Sequence, residues 1–244
     1  GRGGGGVGAP GAARLSAADA SGDALWGGGH GPEPCRPRDR RGTIRPMSTH
    51  LSAADVAATA IADTRRWLER AVIGLNLCPF AKAPHIKGQI HYAVCAGGGR
   101  RELLALLRAE LLALAALEAS ERETTLLIVP DQFADFLDFN DFLGDAEALL
   151  GALDLEGVLQ VAPFHPRFQF EGTEADDITN ATNRSPYPTL HLIREDSIDR
   201  AVEAFPEAET IFEANMATLR QLGPDGWAAL DVGPRFDPDE PPAT

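Results

Sequence analysis

The stretch Pro163-Phe-His-Pro-Arg-Phe-Gln-Phe-Glu-Gly-Thr-Glu-Ala-Asp-Asp-Ile-Thr-Asn-Ala-Thr-Asn-Arg-Ser-Pro-Tyr-Pro-Thr-Leu-His-Leu-Ile-Arg194 decides how the chain is read. It leaves one β-rich run, Gly157 to Phe164, and ends in another, Pro188 to Arg194. No helical period lies between them, so the two runs are expected to pair antiparallel. In the second run Thr189, His191 and Ile193 share one face, and Leu190 and Leu192 share the other. The connection is dense in chemistry-bearing side chains: His165, Arg167, Asp176, Asp177, Asn180, Asn183, Arg184 and Ser185. A linker needs no such inventory of acids, bases and donors. Loops of this kind at strand ends commonly carry binding or catalytic groups, so a polar site is expected here.

Working outward, helices and strands alternate. Ser52-Ala-Ala-Asp55 has the form of a helix start, and Ala57, Ile61, Thr64, Leu68, Ala71 and Leu75 predict a helix to about Leu77. Cys78-Pro-Phe-Ala-Lys-Ala-Pro84 interrupts it, and Gln89 to Cys95 reads as a strand followed by Gly97-Gly98-Gly99. Leu104, Leu107, Leu111 and Leu114 stripe the next helix, and Thr124 to Val129 is a buried strand closed by Pro130. Phe133 to Leu153 is helical by spacing. Phe133, Phe136, Phe139 and Phe142 spread their rings around half of it, which suits wedging between layers or offering a surface to another subunit. Downstream, Asp196 or Ser197 can cap a helix to Phe205, and Pro206 can open another that Gly223-Pro224 stops. The order predicts a single α/β (or α+β) domain over residues 50–232, with a small four-stranded mixed sheet and five or six helices.

The flanks differ. Residues 1–46 hold 13 of the 25 glycines, with seven arginines, four acids and no apolar core of signal-peptide length. They are expected to be a disordered, dispensable leader upstream of a true start at Met47; residues 233–244 are expected to be a flexible tail. Residues 47–244 keep 15 of the 22 basic and 32 of the 36 acidic residues, a net charge of −17. That balance argues against nucleic acid or an anionic membrane as partner, and no apolar run approaches a membrane span. Cys35 lies in the leader, so Cys78 and Cys95 remain, which fits a reducing cytoplasm.

Cys78 is the sharpest single residue. Before Pro79 it suits the N-cap of a new short helix, where amides and dipole favour a thiolate; otherwise it is a small buried hydrophobe beside a kink. Lys82 and Lys87 are the chain's two lysines, both just after it. His85 with His91, or His165 with His191, offer imidazole pairs for a metal, at spacings that are not diagnostic. The three glycines after the first strand can cradle an anion or simply turn the chain. Asp135, Asp138, Asp141 and Asp145 read as the solvated face of the Phe-rich helix. Arg184, framed by Pro186 and Pro188 and flanked by Asn183 and Ser185, suits a carboxylate or phosphate, or an internal partner in Asp176 or Asp177.

Three blocks, Gly74-Leu-Asn-Leu-Cys-Pro-Phe-Ala81, Phe164-His-Pro-Arg-Phe-Gln-Phe170 and Asn183-Arg-Ser-Pro-Tyr-Pro-Thr-Leu-His-Leu192, resemble those of a bacterial domain-of-unknown-function family, number 1415. The resemblance spans roughly residues 53 to 222. It implies a small cytoplasmic bacterial protein and brings no activity with it.

Three classes of function follow from the residues. An enzyme for a small anionic substrate would use Cys78 as nucleophile and His165 or His191 as base, with Lys82, Arg167, Asn180, Asn183, Arg184 and Ser185 binding the substrate. A metal-dependent hydrolase would use the histidines with Asp176 or Asp177. A binding or assembly protein would form a homo-oligomer through the Phe-rich helix. No motif names a cofactor.

Overall fold

The computed structural model describes residues 52–204 and 210–235, all within the compact unit His50–Thr244. The leader, the helix start expected at Pro206 and residues 236–244 lie outside the described residues. Four strands, β1 (Ile90–Val94), β2 (Thr124–Ile128), β3 (Leu159–Phe164) and β4 (Thr189–Arg194), form one sheet in the order β1-β2-β4-β3. β1 and β2 run parallel, joined through helix α3 (Arg100–Ala116), as a parallel pair requires a crossover. β4 runs antiparallel to both β2 and β3, so the pair flanking the long loop is antiparallel as its sequence implies. The expected α/β domain with a small mixed sheet is what forms.

One face of the sheet is closed. Ala93, Leu127, Leu159, Leu190 and Leu192 pack against Leu103, Leu107, Leu111 and Leu114 of α3 and against helix α4 (Phe136–Ala152). Leu103 thus takes the place the spacing gave to Leu104, which is partly exposed. α4 begins three residues later than its spacing suggests, because Asp135 accepts the amides of Leu137 and Asp138 as N-cap. Phe133 precedes the cap with φ 58° and lays its ring on Phe139 and Phe142, at 5.6 and 5.3 Å. Phe139 and Phe142 are fully buried, and Phe136 rests on His165 and Phe168. Phe139 and Phe142 therefore fill the core, and Phe133 and Phe136 pack partly buried beside it. Asp138 and Asp141 do face solvent, and Asp145 pairs with Arg100 at 2.6 Å.

The opposite face carries Tyr92, Ile128, His191, Ile193, Ala162 and Phe164. Helix α1 (Ala53–Trp67) lies over part of it, with Ala60 and Ile61 on Ile128, Tyr92 and Tyr187. Ser52 and Asp55 form the expected capping box. The buried stripe is Val56, Ala60, Asp63, Thr64 and Trp67, one position away from the expected Ala57 and Ile61. Nor does the α-helix run on to Leu77: it widens into a π-helical turn over Leu68–Ile73, and the Leu77 amide reaches Val72 O, five residues back, at 2.9 Å. The wider turn rotates the stripe so that Leu68, Ala71 and Val72 continue it. Gly74 closes the turn, where a Cβ would stand 2.2 Å from the Arg70 carbonyl oxygen.

Residues 230–235 strap across α1. Arg66 donates to the carbonyls of Asp231 and Gly233, and Arg70 to that of Leu230. Asp63 is the buried centre of this arrangement. It accepts the Tyr187 hydroxyl at 2.7 Å, the Arg235 amide at 2.6 Å and Arg66 at 2.7 Å. The tail expected to be loose from residue 233 is therefore held as far as Arg235. Helix α5 (Glu195–Ala204) leaves β4 directly, without the Asp196 or Ser197 cap. Helix α6 (Ile211–Ala229) kinks at Gly223 (φ 67°) before Pro224, so the expected stop is a bend. No helix among the described residues is long and apolar enough to cross a membrane.

Candidate functional site

A cavity of about 410 Å³ opens between the second sheet face and α5. Its floor is sheet: Ile90 from β1, Leu126 from β2, His191 and Ile193 from β4, Ala162 and Phe164 from β3. In register, His191 stands between Leu126 and Ala162. Trp67, Leu68 and Val72 form a second wall, which the π turn aims inward. Cys78, Phe80 and Pro84 form a third, and Ser197, Ile198, Ala201 and Val202 of α5 form the roof.

Cys78 and His191, more than a hundred residues apart in sequence, thus line one space. Cys78 does not cap a helix. Its carbonyl accepts the Ala81 amide in a turn, and the five-residue helix α2 (Lys82–Ile86) starts only after Ala81. Burial pushes the thiol up, and this outweighs the Phe80 and Ala81 amides that point at the sulfur and favour the thiolate. His191 has its pKa lowered to about 4 by burial, with no counter-charge beside it. Its ring lies 5.9 Å from that of Phe164 and has no hydrogen-bond partner among the described residues. At neutral pH both groups are therefore uncharged, and the thiolate expected of an N-cap is not stabilised here.

Of the other expected site residues, only Asn183 reaches the cavity. Its side-chain amide approaches Pro163 O at 3.5 Å, and its carbonyl accepts the His165 amide. His165 is 1% exposed, with Nε2 2.8 Å from Phe133 O and Nδ1 accepting the Arg167 amide at 3.0 Å. Nε2 therefore carries the proton, both ring nitrogens are engaged, and burial lowers the pKa. His165 does not face the cavity and is not free to act as a base. Arg184 donates to the carbonyls of Phe168 and Ala175, and its charge helps to keep the nearby Asp177 carboxylate ionised. Asn180 holds the Phe170 amide, the Thr173 hydroxyl and Glu174 O, and Ser185 donates to Tyr187 O. Asp177 caps the 3-10 helix Ile178–Asn183. The polar wealth of the 163–194 loop is spent on holding the loop.

Lys82 and Arg167 are exposed and do not line the cavity. Its ionisable lining groups are Glu123, Cys78 and His191, without a lysine or arginine. The expected anion-binding set therefore does not assemble. His85 stands 3.4 Å from Glu69 and His91 3.5 Å from Glu110. Among the described residues no group of three or more His, Cys, Asp or Glu side chains is placed to hold a metal ion. The Gly97 and Gly99 amides are already taken by the Asp131 and Glu102 carboxylates. Nothing in the spacing of Trp67, Phe80, Glu123 or Ser197 marks them as cavity lining. Asp63 left a signal that went unused: an acid inside the buried stripe of α1.

The fold and site define an α/β protein with one packed and one cavity-bearing sheet face. Residues 59–229 match the model of the family described as Protein of unknown function (DUF1415), and the chain belongs to that family. No curated protein matches the chain, and no solved structure does.

Proposed function

We propose that the protein binds a small, uncharged and mostly apolar molecule in this cavity, with the neutral His191 ring as its polar anchor. The observation that carries the reading is an imidazole on a strand, bordered by apolar side chains and opening on the cavity, with no hydrogen-bond partner among the described residues. Ligand pockets of roughly 300–1,000 Å³ are typically apolar with a few placed polar groups, and this one fits that description. Burying a carboxylate or phosphate here would cost several kcal/mol without a countercharge to offset it. The test compares two fluorescent probes of similar aromatic size. N-phenyl-1-naphthylamine, which is neutral, should bind and lose affinity at least threefold in His191→Leu. 8-Anilinonaphthalene-1-sulfonate, which is anionic, should bind at least tenfold more weakly than the neutral probe. Equal affinity for the sulfonate, or no binding of the neutral probe, overturns the reading.

A second reading, in which Cys78 attacks a bound electrophile, draws support from the shared cavity of Cys78 and His191. It requires the substrate itself to bring the thiolate into being, since burial holds the thiol protonated. The pH dependence of Cys78 alkylation by iodoacetamide tests it. A midpoint above the free thiol value of about 8.5 agrees with the buried, protonated group, and a midpoint below 7.5 favours catalysis.

A further inference from the structure

The α5 helix is tied at its N-terminal base and apolar underneath. At its base, the Glu195 amide donates to Val158 O, and the Arg194 guanidinium holds the carbonyls of Leu114, Leu117 and Arg122. Along its length, Ile198, Ala201 and Val202 fall at helical spacing on the side that roofs the cavity. Asp196, Asp199, Arg200 and Glu203 lie in solvent. None of the residues Glu195–Glu203 is buried, and Val202 remains 50% exposed. The helix's polar side-chain contacts are internal, from Arg200 to Asp196 and to Ser197. Among the described residues no side-chain hydrogen bond or ion pair ties Glu195–Glu203 to another element. An amphipathic helix gains stability in water chiefly by packing its apolar stripe, and this stripe faces space where a core would be.

We infer that α5 is the lid of the cavity, opening about the Arg194–Glu195 junction and seating on the apolar surface of a bound molecule. The inference rests on the ligand reading above and adds how the molecule gets in and is retained. An opening helix with few buried contacts belongs to the low-stability end of a protein, where lids are found. A ligand filling the cavity gives Ile198, Ala201 and Val202 the contacts they lack, so binding and closure are coupled.

Hydrogen–deuterium exchange of the full chain, alone and with saturating N-phenyl-1-naphthylamine, tests the lid. Without the probe, the α5 amides of residues 199–203 should exchange at least tenfold faster than those of Leu190 and Leu192. With it, they should slow at least threefold while β4 changes little. Protection of α5 equal to that of β4 without the probe, or probe binding that leaves α5 exchange unchanged, overturns the lid. A probe that fails to bind sinks the ligand reading alone. In that case Val202→Glu, at a half-exposed position, still decides the lid. It should speed α5 exchange at least threefold further and leave β4 as it was; no change overturns the lid.

Discussion

On β4, Leu190 and Leu192 turn toward the face packed by α3 and α4, while His191 between them turns toward the cavity. The strands are the same and the surroundings are opposite. On the packed face, buried leucines and phenylalanines from two long helices leave no room, and the sheet is held as in an organic crystal. On the other face, α1 covers one end, a short helix covers the other, and a space remains in between. The comparison teaches that the packed face carries the fold, which frees the other to hold a poorly solvated imidazole and an incompletely packed helix. Sites placed on a rigid scaffold in this way keep their geometry without contributing to stability.

The sharpest way to break the comparison is to hollow out the packed face. Phe142→Ala, at a fully buried ring, should cost about 3–5 kcal/mol in urea-induced unfolding. A loss below about 1.5 kcal/mol would mean the packed face is looser than its burial implies. Asp63→Ala comes next, at about 2–4 kcal/mol, since it removes the buried carboxylate that accepts the Tyr187 hydroxyl, the Arg235 amide and Arg66. A neutral result would show that the buried carboxylate adds nothing to stability. Ile193→Ala on the cavity wall should cost only about 1 kcal/mol or less, because the site already borders empty space. A cost matching that of Phe142→Ala would erase the distinction between the faces.

The cavity face also carries a pH dependence. The folded His191 titrates at about 4, below its ordinary 6.5. Between these values the unfolded chain binds more protons than the folded one, so stability falls as pH drops from about 6.5 toward about 4. Above that window His191 contributes no pH dependence. Urea midpoints measured at pH 7, 6, 5 and 4.5 should decline less steeply in His191→Leu than in the parent chain. Parallel declines would show that the ring is better solvated than its walls suggest.

Much of the fold was legible because periodicity reports burial. Thr124 to Val129 reads as a buried strand, and Thr124–Ile128 form one; the face assignment of Thr189, His191 and Ile193 holds. The errors arose where tertiary structure overrode local pattern. The π turn after Trp67 could not be read from Leu68, Ala71 and Leu75, since a one-residue widening leaves no mark in spacing. Asp135 as N-cap displaced the start of α4, though capping residues were legible in principle. The site was harder. The loop from Pro163 to Arg194 is rich in polar groups because a long irregular segment must satisfy its own backbone, and Asn180 and Arg184 do that. The cavity instead draws on Trp67, Phe80 and Ile198, apolar residues whose role comes only from meeting in space. Cys78 and His191 were singled out and do meet, but in surroundings that leave them neutral.

The strap of residues 230–235 has a consequence for the order in which the molecule is made. Its bonds to Asp63, Arg66 and Arg70 close loops of 160 to 172 residues. During synthesis α1 emerges long before its partners do, so the cavity wall that runs from Trp67 through Val72 waits for the end of the domain. Contacts this distant in sequence slow folding. The packed core of α3, β2, α4 and β4 can assemble while α1 is still unfastened. A ribosome-bound chain halted after β4 would then hold a finished core beside an unfinished pocket, and the pocket would be the last part of the protein to become itself.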